Sequence, residues 1–425
     1  MTDLLESDQK NIWHPFSQPG QQESPIFIES ASGVYLHTND GRRIIDAISS
    51  WWVNLHGHSN PQIAKAISDQ ATKLEHVIFA GFTHEPAITL SKNLMGILPD
   101  NQSRIFFSDD GSTAVEVAIK LALQYWRNQG IEKRKLLAIR GAYHGDTFGA
   151  MSVGERGIFT DAFVSHLFDV DYVDFPDQVN EAEVLNQFQQ IVDTGLVAAF
   201  IYEPLLQGAA GMRIYGAPLL DKMIGYAQSN SVICIADEVL TGFGRTGKLF
   251  ASDHLINKPD LIALSKGLTG GALPLGVTSC SGRVVAAFQS NDIAKTFFHG
   301  HSFTANPLAC AAANASFELL LQPACQKQIA DIGILHERFK TSIVTNPHVM
   351  DVRSLGTVLA IELKTAGKTS YVNPARKKIY QYFLERNVLL RPLGNVIYIL
   401  PPYIITEAQL QTVYDTINEF LNHLE

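Results

Sequence analysis

The middle of the chain alternates short apolar runs with longer amphipathic stretches. The short runs are continuous and rich in β-branched residues, as is typical of strands covered on both faces. The longer stretch 111–127 places Val115, Ile119 and Ala122 on one face of a helix. This alternation predicts an α/β fold built on a largely parallel sheet. The predicted strands are 103–109, 135–140, 196–204, 231–238, 260–265 and 275–281.

The length of the chain and a change of pattern along it predict two domains. At 425 residues the chain exceeds what one hydrophobic core usually serves. A long helical stretch, 306–322, leads into mixed segments and the strand-like run 395–403. We expect 56–310 to form a large domain, 311–425 the C-terminal part of a smaller α+β domain, and 1–55 its N-terminal part.

The charge and the cysteine content narrow the classes of partner. A formal net charge of −9, without a long Lys/Arg run, argues against a nucleic-acid partner or an anionic membrane surface. The acidic N-terminal segment lacks the apolar core of a secretory signal. Four cysteines without C-x-x-C spacing are typical of reduced thiols, so we expect a cytoplasmic protein that acts on small molecules. They are Cys234, Cys280, Cys310 and Cys325.

One lysine occupies an unusual position. Lys266 directly follows the predicted strand 260–265 and is surrounded by Gly267, Gly270 and Gly271. A solvated lysine does not need such neighbours, whereas a lysine beside a bulky ligand does, because glycine lets backbone and ligand approach closely. A strand end beside a flexible turn explains this stretch equally well. The stretch alone therefore does not show whether Lys266 lies beside a ligand.

Other polar residues follow neighbouring strands. Asp237 ends the predicted strand 231–238, and Gly111 and Ser112 open a helix whose free N–H groups suit an anion. Ligands of parallel sheets bind beyond the carboxyl ends of the strands. An enzyme that uses pyridoxal phosphate (PLP) needs a lysine, a carboxylate for the pyridinium, a phosphate site and an aromatic ring such as Tyr143. The combination predicts a PLP site.

The order of the motifs resembles that of the class III aminotransferases, PLP enzymes of fold type I. The motifs are "SDDGSTAVEVAIK", "AYHGDTFGAMS", "EPLLQGAAGM", "IADEVLTGFGRTG", "DLIALSKGLTGG" and "HGHSFTANPLACAAA", and they span nearly the whole chain. The resemblance implies that Lys266 binds the cofactor aldehyde and then moves protons as general acid and base. It further implies that Asp237 pairs with the pyridinium, Tyr143 stacks on the ring, and Gly111 and Ser112 hold the phosphate. Ser302 from a second subunit would complete that site, which implies a homodimer.

Three further motifs resemble one branch of this family. They are "IWHPFSQ", "SSWWVNLHGH" and "LLRPLGNVIYILPPYI". That branch converts 8-amino-7-oxononanoate to 7,8-diaminononanoate in biotin synthesis, usually with S-adenosylmethionine as the amino donor. The resemblance implies that two tryptophans wall an apolar channel and that an arginine clamps the substrate carboxylate. The implied substrate-binding residues are Trp51, Trp52, Tyr143, Asp146, Gly300, Arg391 and Tyr398.

The assignment of the two tryptophans and two other features have weaker support in the sequence. Trp51 and Trp52 could be core residues, but consecutive residues of a strand face opposite ways, so at least one is expected to line a cavity or interface. In related enzymes, the equivalent of Arg245 pairs with a glutamate such as Glu203. The pairs His56/His58 and His299/His301 invite a metal site, yet no third ligand follows at a regular spacing, so we expect none.

The sequence leaves alternatives for the amino donor, for the substrate and for whether the protein is an enzyme. Phe16 stands where the best-known form of the family has a tyrosine, and His301-Ser302 where it has a Pro-Thr pair. Both changes fall near the donor side, so lysine remains an alternative donor. Another class III ω-aminotransferase, acting on ornithine, GABA or acetylornithine, would share every cofactor residue. A non-catalytic PLP-binding regulator is disfavoured because the chain leaves no room for a DNA-binding domain.

Overall fold

The structure is a computed structural model that describes residues 2–20, 24–177 and 179–424. The strands are β1 (Ile28–Ser32), β2 (Tyr35–Thr38), β3 (Arg43–Asp46), β4 (Gln102–Ser108), β5 (Lys135–Ile139), β6 (Val170–Val173), β7 (Val197–Tyr202), β8 (Leu206–Gln207), β9 (Arg213–Ile214), β10 (Ile233–Asp237), β11 (Leu261–Leu264), β12 (Gly276–Ser281), β13 (Val349–Leu355), β14 (Val358–Leu363), β15 (Val388–Leu389) and β16 (Val396–Ile399). The helices are α1 (Thr2–Asn11), α2 (Ser49–Trp52), α3 (Pro61–Ala71), α4 (Glu85–Met95), α5 (Gly111–Asn128), α6 (Phe148–Val153), α7 (Glu181–Val192), α8 (Ala217–Ser229), α9 (Gly282–Ala286), α10 (Pro307–Leu320), α11 (Pro323–Ile343), α12 (Ala375–Glu385) and α13 (Glu407–Asn422).

A seven-stranded sheet in the order β4-β12-β11-β10-β7-β5-β6 forms the centre of the molecule. The prediction of a largely parallel α/β sheet is confirmed, and all six predicted strands belong to it. β12 departs from the parallel pattern, since it runs antiparallel to both β11 and β4. β6 was not predicted, because its four half-buried and buried residues carry a weaker apolar signal than the other strands.

Apolar helices cover both faces of this sheet. On one face, α5 packs with residues of β10 and β11, and Val115, Ile119 and Ala122 are buried as its periodicity predicts. On the other face, α7 and α8 pack on β7 and β10 through a separate apolar cluster. Because both faces are covered, most residues of the central strands β7, β10 and β11 are buried and apolar, and polar side chains follow at the strand ends.

Segments from the two ends of the chain meet in the smaller sheets. β3 pairs in parallel with β15, which joins residue 45 to residue 388. β13, β14 and β16 form a separate antiparallel sheet, and α10 packs against α3, α4 and the turn 266–269. The domain boundaries at 55/56 and 310/311 stay a prediction. Among the described residues, no helix combines the length and the apolar character that crossing a membrane needs.

Candidate active site

A cavity of about 470 Å³ opens at the carboxyl ends of the parallel strands. The strands position its polar groups, because Lys266, Asp237 and Glu203 lie at or just beyond the ends of β11, β10 and β7. Most of the residues that the sequence singles out come together here. Those that line the cavity are Trp51, Trp52, Gly111, Ser112, Tyr143, Asp237, Lys266, Arg391 and Tyr398.

Lys266 is half-buried, and its backbone is held in the left-handed region at a φ of 44°. No described residue forms a hydrogen bond with its Nζ atom, which lies 4.7 Å from the centre of the Trp52 ring. Burial lowers the pKa of the Lys266 amine to about 8, although the carboxylates of Asp237 and Glu203 act to raise it. An amine whose pKa is lowered by its surroundings is the state that a nucleophilic lysine needs.

The glycines around Lys266 serve a purpose that the sequence analysis did not predict. A Cβ on Gly267 would lie 3.0 Å from the side chain of Leu55, and a Cβ on Gly271 would lie 2.9 Å from the backbone of Val53 and Asn54. The backbone of Gly271 also adopts a φ of 86°. These glycines therefore allow the segment 53–55 to pack directly against the lysine turn, rather than making room for a ligand alone.

Asp237 is held by a histidine that the sequence analysis passed over. His144 Nδ1 lies 2.6 Å from one carboxylate oxygen of Asp237, and the N–H of Val239 donates to the other at 3.1 Å. His144 Nε2 is buried and has no hydrogen-bond partner among the described residues. The only signal in the sequence is its position next to Tyr143. The arrangement suits an ionised Asp237 that faces a protonated ring nitrogen of a ligand.

Glu203 connects the strand ends to the loop that carries Tyr143. Its carboxylate accepts the N–H of Tyr143 at 3.0 Å and the N–H of Gly208 at 2.9 Å. Burial raises the pKa of Glu203 to about 7, although the charge of His144 and the two N–H donors act to lower it. Burial and the nearby charge of Asp146 raise the pKa of the Tyr143 phenol, which therefore stays neutral.

The N-terminus of α5 forms an anion site inside the cavity. The Asp110 carboxylate accepts the N–H of Thr113 at 2.8 Å, and the Thr113 hydroxyl lies within reach of the Asp110 N–H, which completes a capping box. The N–H groups of Gly111 and Ser112 have no hydrogen-bond partner within the described part of the chain. A Cβ on Gly111 would lie 2.8 Å from Val239. Two free amides at a helix N-terminus suit a phosphate.

Arg391 lies among aromatic rings near the mouth of the cavity. Its guanidinium carbon is 4.7 Å from the centre of the Trp51 ring and 5.7 Å from that of Phe16. It has no carboxylate partner among the residues described. Phe159 and Tyr371 complete the aromatic group, and both lie on loops that carry no pattern by which the sequence could have marked them. An unpaired guanidinium beside aromatic rings can bind a carboxylate bidentately.

Trp51 and Trp52 do not lie in a strand, so the strand-based argument about them is wrong. They end the kinked turn α2, in which Ser50 and Trp51 have non-helical dihedral angles. Both nevertheless line the cavity: Trp51 is half-exposed and Trp52 is buried. The indole N–H of Trp52 donates to the Tyr398 hydroxyl at 2.9 Å. The kink, rather than strand alternation, turns both rings toward the cavity.

Three predicted site residues do not line this cavity. Asp146 borders an adjoining cavity of about 220 Å³, and its N–H donates to Ser112 Oγ at 3.1 Å. Gly300 and Ser302 are exposed on a loop outside both cavities. His301, between them, lies 3.3 Å from the Asp109 carboxylate.

The two histidine pairs and Arg245 have other partners. His58 contacts Asp46, His56 contacts Ser316, and His299 contacts Lys120. The described residues contain no group of three or more His, Cys, Asp and Glu that could hold a metal ion. The implied pairing of Arg245 with Glu203 is absent. Arg245 is buried and donates to the carbonyls of Pro401 and Asn54 at 2.8 and 3.3 Å.

Residues 16–421 match the aminotransferase class-III family. The chain belongs to the class III aminotransferases. It is 46% identical over 422 residues to the adenosylmethionine-8-amino-7-oxononanoate aminotransferase of Synechococcus elongatus, covering 97% of this chain and 99% of that protein. The enzyme of the same name from Corynebacterium glutamicum is 37% identical over 413 residues, covering 96% and 95%.

Solved structures of class III aminotransferases share the fold of this chain. The adenosylmethionine-8-amino-7-oxononanoate aminotransferase of Methanocaldococcus jannaschii has a TM-score of 0.94 and 35% identity, with all of both chains covered. An amine transaminase from an uncultivated Pseudomonas species, in its PLP-bound form, has a TM-score of 0.90 and 28% identity, covering 98% and 99%. The protein is thus a PLP-dependent aminotransferase of fold type I.

The residues present fit this cofactor. A half-buried amine without a hydrogen-bond partner among the described residues, the Asp237 carboxylate oriented by His144, and two free amides at a helix N-terminus lie around one cavity. They match, in turn, the aldehyde, the ring nitrogen and the phosphate of PLP. The class III aminotransferase fold therefore supplies a complementary group for each reactive part of the cofactor.

Proposed function

We propose that the protein transfers the amino group of S-adenosylmethionine to 8-amino-7-oxononanoate and forms 7,8-diaminononanoate for biotin synthesis. The observation that carries this proposal is the pair of indoles between two cationic groups. Trp52 lies against Lys266 and Trp51 against Arg391, each at 4.7 Å. A substrate with a ketone, an apolar chain and a terminal carboxylate matches an amine, an apolar wall and a guanidinium in that order.

Each residue at the carboxyl ends of the strands has a role in this proposal. Lys266 binds the cofactor aldehyde and moves protons at the reacting carbon. Asp237, supported by His144, keeps the ring nitrogen protonated, while Gly111 and Ser112 bind the phosphate. When bound, PLP stores the amino group and withdraws electrons from the reacting carbon. Tyr143, fixed by its hydrogen bond to Glu203, stacks on the ring.

The proposal includes a homodimer in which Gly300 and Ser302 serve the partner's site. In one chain both are exposed and lie outside the cavity. Their loop also exposes Phe298 and Phe303, and large exposed apolar side chains are common at interfaces. Mixed dimers of Lys266→Ala and Ser302→Ala chains test this. One intact site, and so partial activity, is expected if Ser302 serves the partner, and none if it serves its own chain.

The polar residues of the site and the names of the relatives support S-adenosylmethionine as the amino donor. Tyr143 and Asp146 border the adjoining cavity together with Tyr371, which gives a large donor both aromatic and charged groups. Phe16 stacks on Trp51 at 5.6 Å and offers no hydroxyl. One lost hydroxyl changes the free energy of donor binding by about 0.5–1.5 kcal/mol, which is too little to change the donor by itself.

The proposal also includes a cytoplasmic location, which is supported by four buried and unpaired cysteines.

Two half-reactions test the amino donor and the amino acceptor separately. The PLP form is mixed with S-adenosylmethionine or with lysine, and conversion to the pyridoxamine form is followed by absorbance. Conversion by S-adenosylmethionine is expected, and conversion by lysine alone would contradict the donor. The pyridoxamine form is then mixed with 8-amino-7-oxononanoate, or with the keto partners of ornithine, GABA and acetylornithine. A faster reaction with any of the latter would contradict the acceptor.

A further inference from the structure

The turn that carries the two tryptophans has an unusual backbone. Ser49, Ser50 and Trp52 adopt φ angles of 53°, 59° and 67°, and Ser50 combines its φ with a ψ of −83°. Residues with a Cβ rarely adopt such angles. They persist where the surrounding structure holds them, and they cluster at functional sites. Something must therefore hold this turn in place.

The carboxylate of Asp46 makes the contacts that hold it. Asp46 ends β3 and is completely buried. One of its oxygens accepts the N–H of Ser50 at 2.8 Å and that of Ile48 at 3.2 Å. The other accepts the Ser50 hydroxyl at 2.8 Å. A buried carboxylate with several donors is a strong and directional anchor, so Asp46 constrains both the backbone and the side chain of the strained residue.

His58 completes the coordination of this carboxylate. Its Nε2 lies 2.9 Å from Asp46, and its Nδ1 lies 3.3 Å from the amide nitrogen of Asn54. A neutral imidazole with its proton on Nε2 satisfies both contacts. The backbone of His58 is itself paired with Gly33 through two hydrogen bonds of 2.7 and 3.2 Å. The anchor is thus attached to two fixed parts of the fold.

The anchored turn reaches the reacting groups, although Asp46 does not. Asp46 and His58 lie outside the residues that line the cavity. Through the turn, however, Trp52 contacts Lys266 and the Tyr398 hydroxyl, and Trp51 contacts Arg391. A displacement of the turn would move both walls of the proposed acceptor channel.

We propose that Asp46, supported by His58, is a positioning residue that holds the strained Ser49–Trp52 turn so that Trp51 and Trp52 form the acceptor side of the active site. This inference rests on the proposed function for the identity of the acceptor. The carboxylate acts through the turn, and it contacts neither the substrate nor the cofactor. Its loss should therefore weaken acceptor binding more than it slows the chemical step.

Asp46→Asn tests this in the PLP-loaded enzyme. It replaces one accepting oxygen by a donor that faces Ser50 or His58. We expect the KM for 8-amino-7-oxononanoate to rise about tenfold while kcat changes less than about threefold. The matched control is Asp260→Asn, since Asp260 is also buried and accepts the N–H of Cys234 away from the cavity. An unchanged KM in Asp46→Asn, or an equal rise in Asp260→Asn, would overturn the proposal.

Milder variants cover the case in which Asp46→Asn does not fold. His58→Ala and Ser50→Ala each remove one side-chain contact to Asp46 and leave the two backbone donors in place. Each should raise the acceptor KM by about threefold, with the melting temperature and the PLP affinity near those of the wild type. Wild-type KM values in both variants would likewise overturn the proposal.

A crystal structure of Asp46→Asn, or of His58→Ala if only that variant folds, separates this inference from the proposed function. Displaced Trp51 and Trp52 rings are expected, and rings in their wild-type places would overturn the positioning role. This readout does not depend on the substrate. If the wild-type enzyme does not use 8-amino-7-oxononanoate, the proposed function fails while the positioning role is still decided.

Discussion

His144 Nδ1 lies 2.6 Å from a carboxylate oxygen of Asp237 at the carboxyl end of β10, and both side chains are buried. The second oxygen of Asp237 is taken by the N–H of Val239. The carboxylate is therefore oriented from two sides before any ligand binds. Because the ring nitrogen of the cofactor needs an ionised partner in a set direction, we expect His144 to contribute to catalysis through Asp237.

His144→Ala should slow the half-reaction with the amino donor about tenfold or more, because a buried hydrogen bond to a charged group is worth about 1.5–3 kcal/mol. His144→Asn places an amide N–H near the position of Nδ1 and should recover much of the rate. Stopped-flow absorbance measures both variants. Equal rates for the alanine and asparagine variants would contradict the orienting role of the hydrogen bond.

Lys266→Ala should abolish turnover while the fold and non-covalent PLP binding largely survive. The other contacts that we propose for the cofactor, to Asp237 and to the amides of Gly111 and Ser112, would not involve the lysine. Reduction with borohydride, followed by mass spectrometry, should attach the cofactor to the wild-type chain and leave the variant unmodified. Turnover by the variant at the wild-type rate would remove Lys266 from the mechanism.

The lowered pKa of Lys266 predicts how covalent PLP capture by the apoprotein depends on pH. Only the neutral amine attacks the aldehyde, and a pKa of about 8 makes it predominant above pH 8 rather than above 10.5. The capture rate should therefore rise about tenfold from pH 7 to pH 9 and then level off. Since the Glu203 carboxylate acts to raise this pKa, Glu203→Gln should move the midpoint to lower pH. A rise that continues beyond pH 10 would contradict the lowered pKa.

Arg391→Ala should weaken use of the keto acid far more than PLP binding. The guanidinium has no carboxylate partner among the described residues, so it is available to the substrate carboxylate. Loss of a buried bidentate contact should cost about 2–5 kcal/mol in kcat/KM for 8-amino-7-oxononanoate. Arg386→Ala is the control, since Arg386 stacks on Tyr382 away from the cavity. Unchanged steady-state constants in Arg391→Ala would place the carboxylate elsewhere.

The sequence by itself determined six of the seven strands of the central sheet and the residues at their carboxyl ends. The strands β5, β7, β10, β11 and β12 are buried almost throughout, and their largely apolar sequences are a local pattern that reflects burial on both faces. Because parallel strands end at one edge, the residues that follow them, among them Asp237 and Lys266, had to meet there. The motifs around them also determined the family, since their order and spacing are specific.

Only the tertiary structure decided how these residues are held. The His144–Asp237 contact joins residues 93 positions apart, and the Trp52–Tyr398 contact joins residues 346 positions apart. No local pattern encodes such pairs, since each depends on how separate elements pack. The same is true of the positive φ angles of Ser49, Ser50 and Trp52, since the two tryptophans were interpreted as if they lay in a strand. Local propensity favours extended or helical angles there, and the hydrogen bonds of Ser50 to the buried carboxylate of Asp46 stabilise the unusual angles against it.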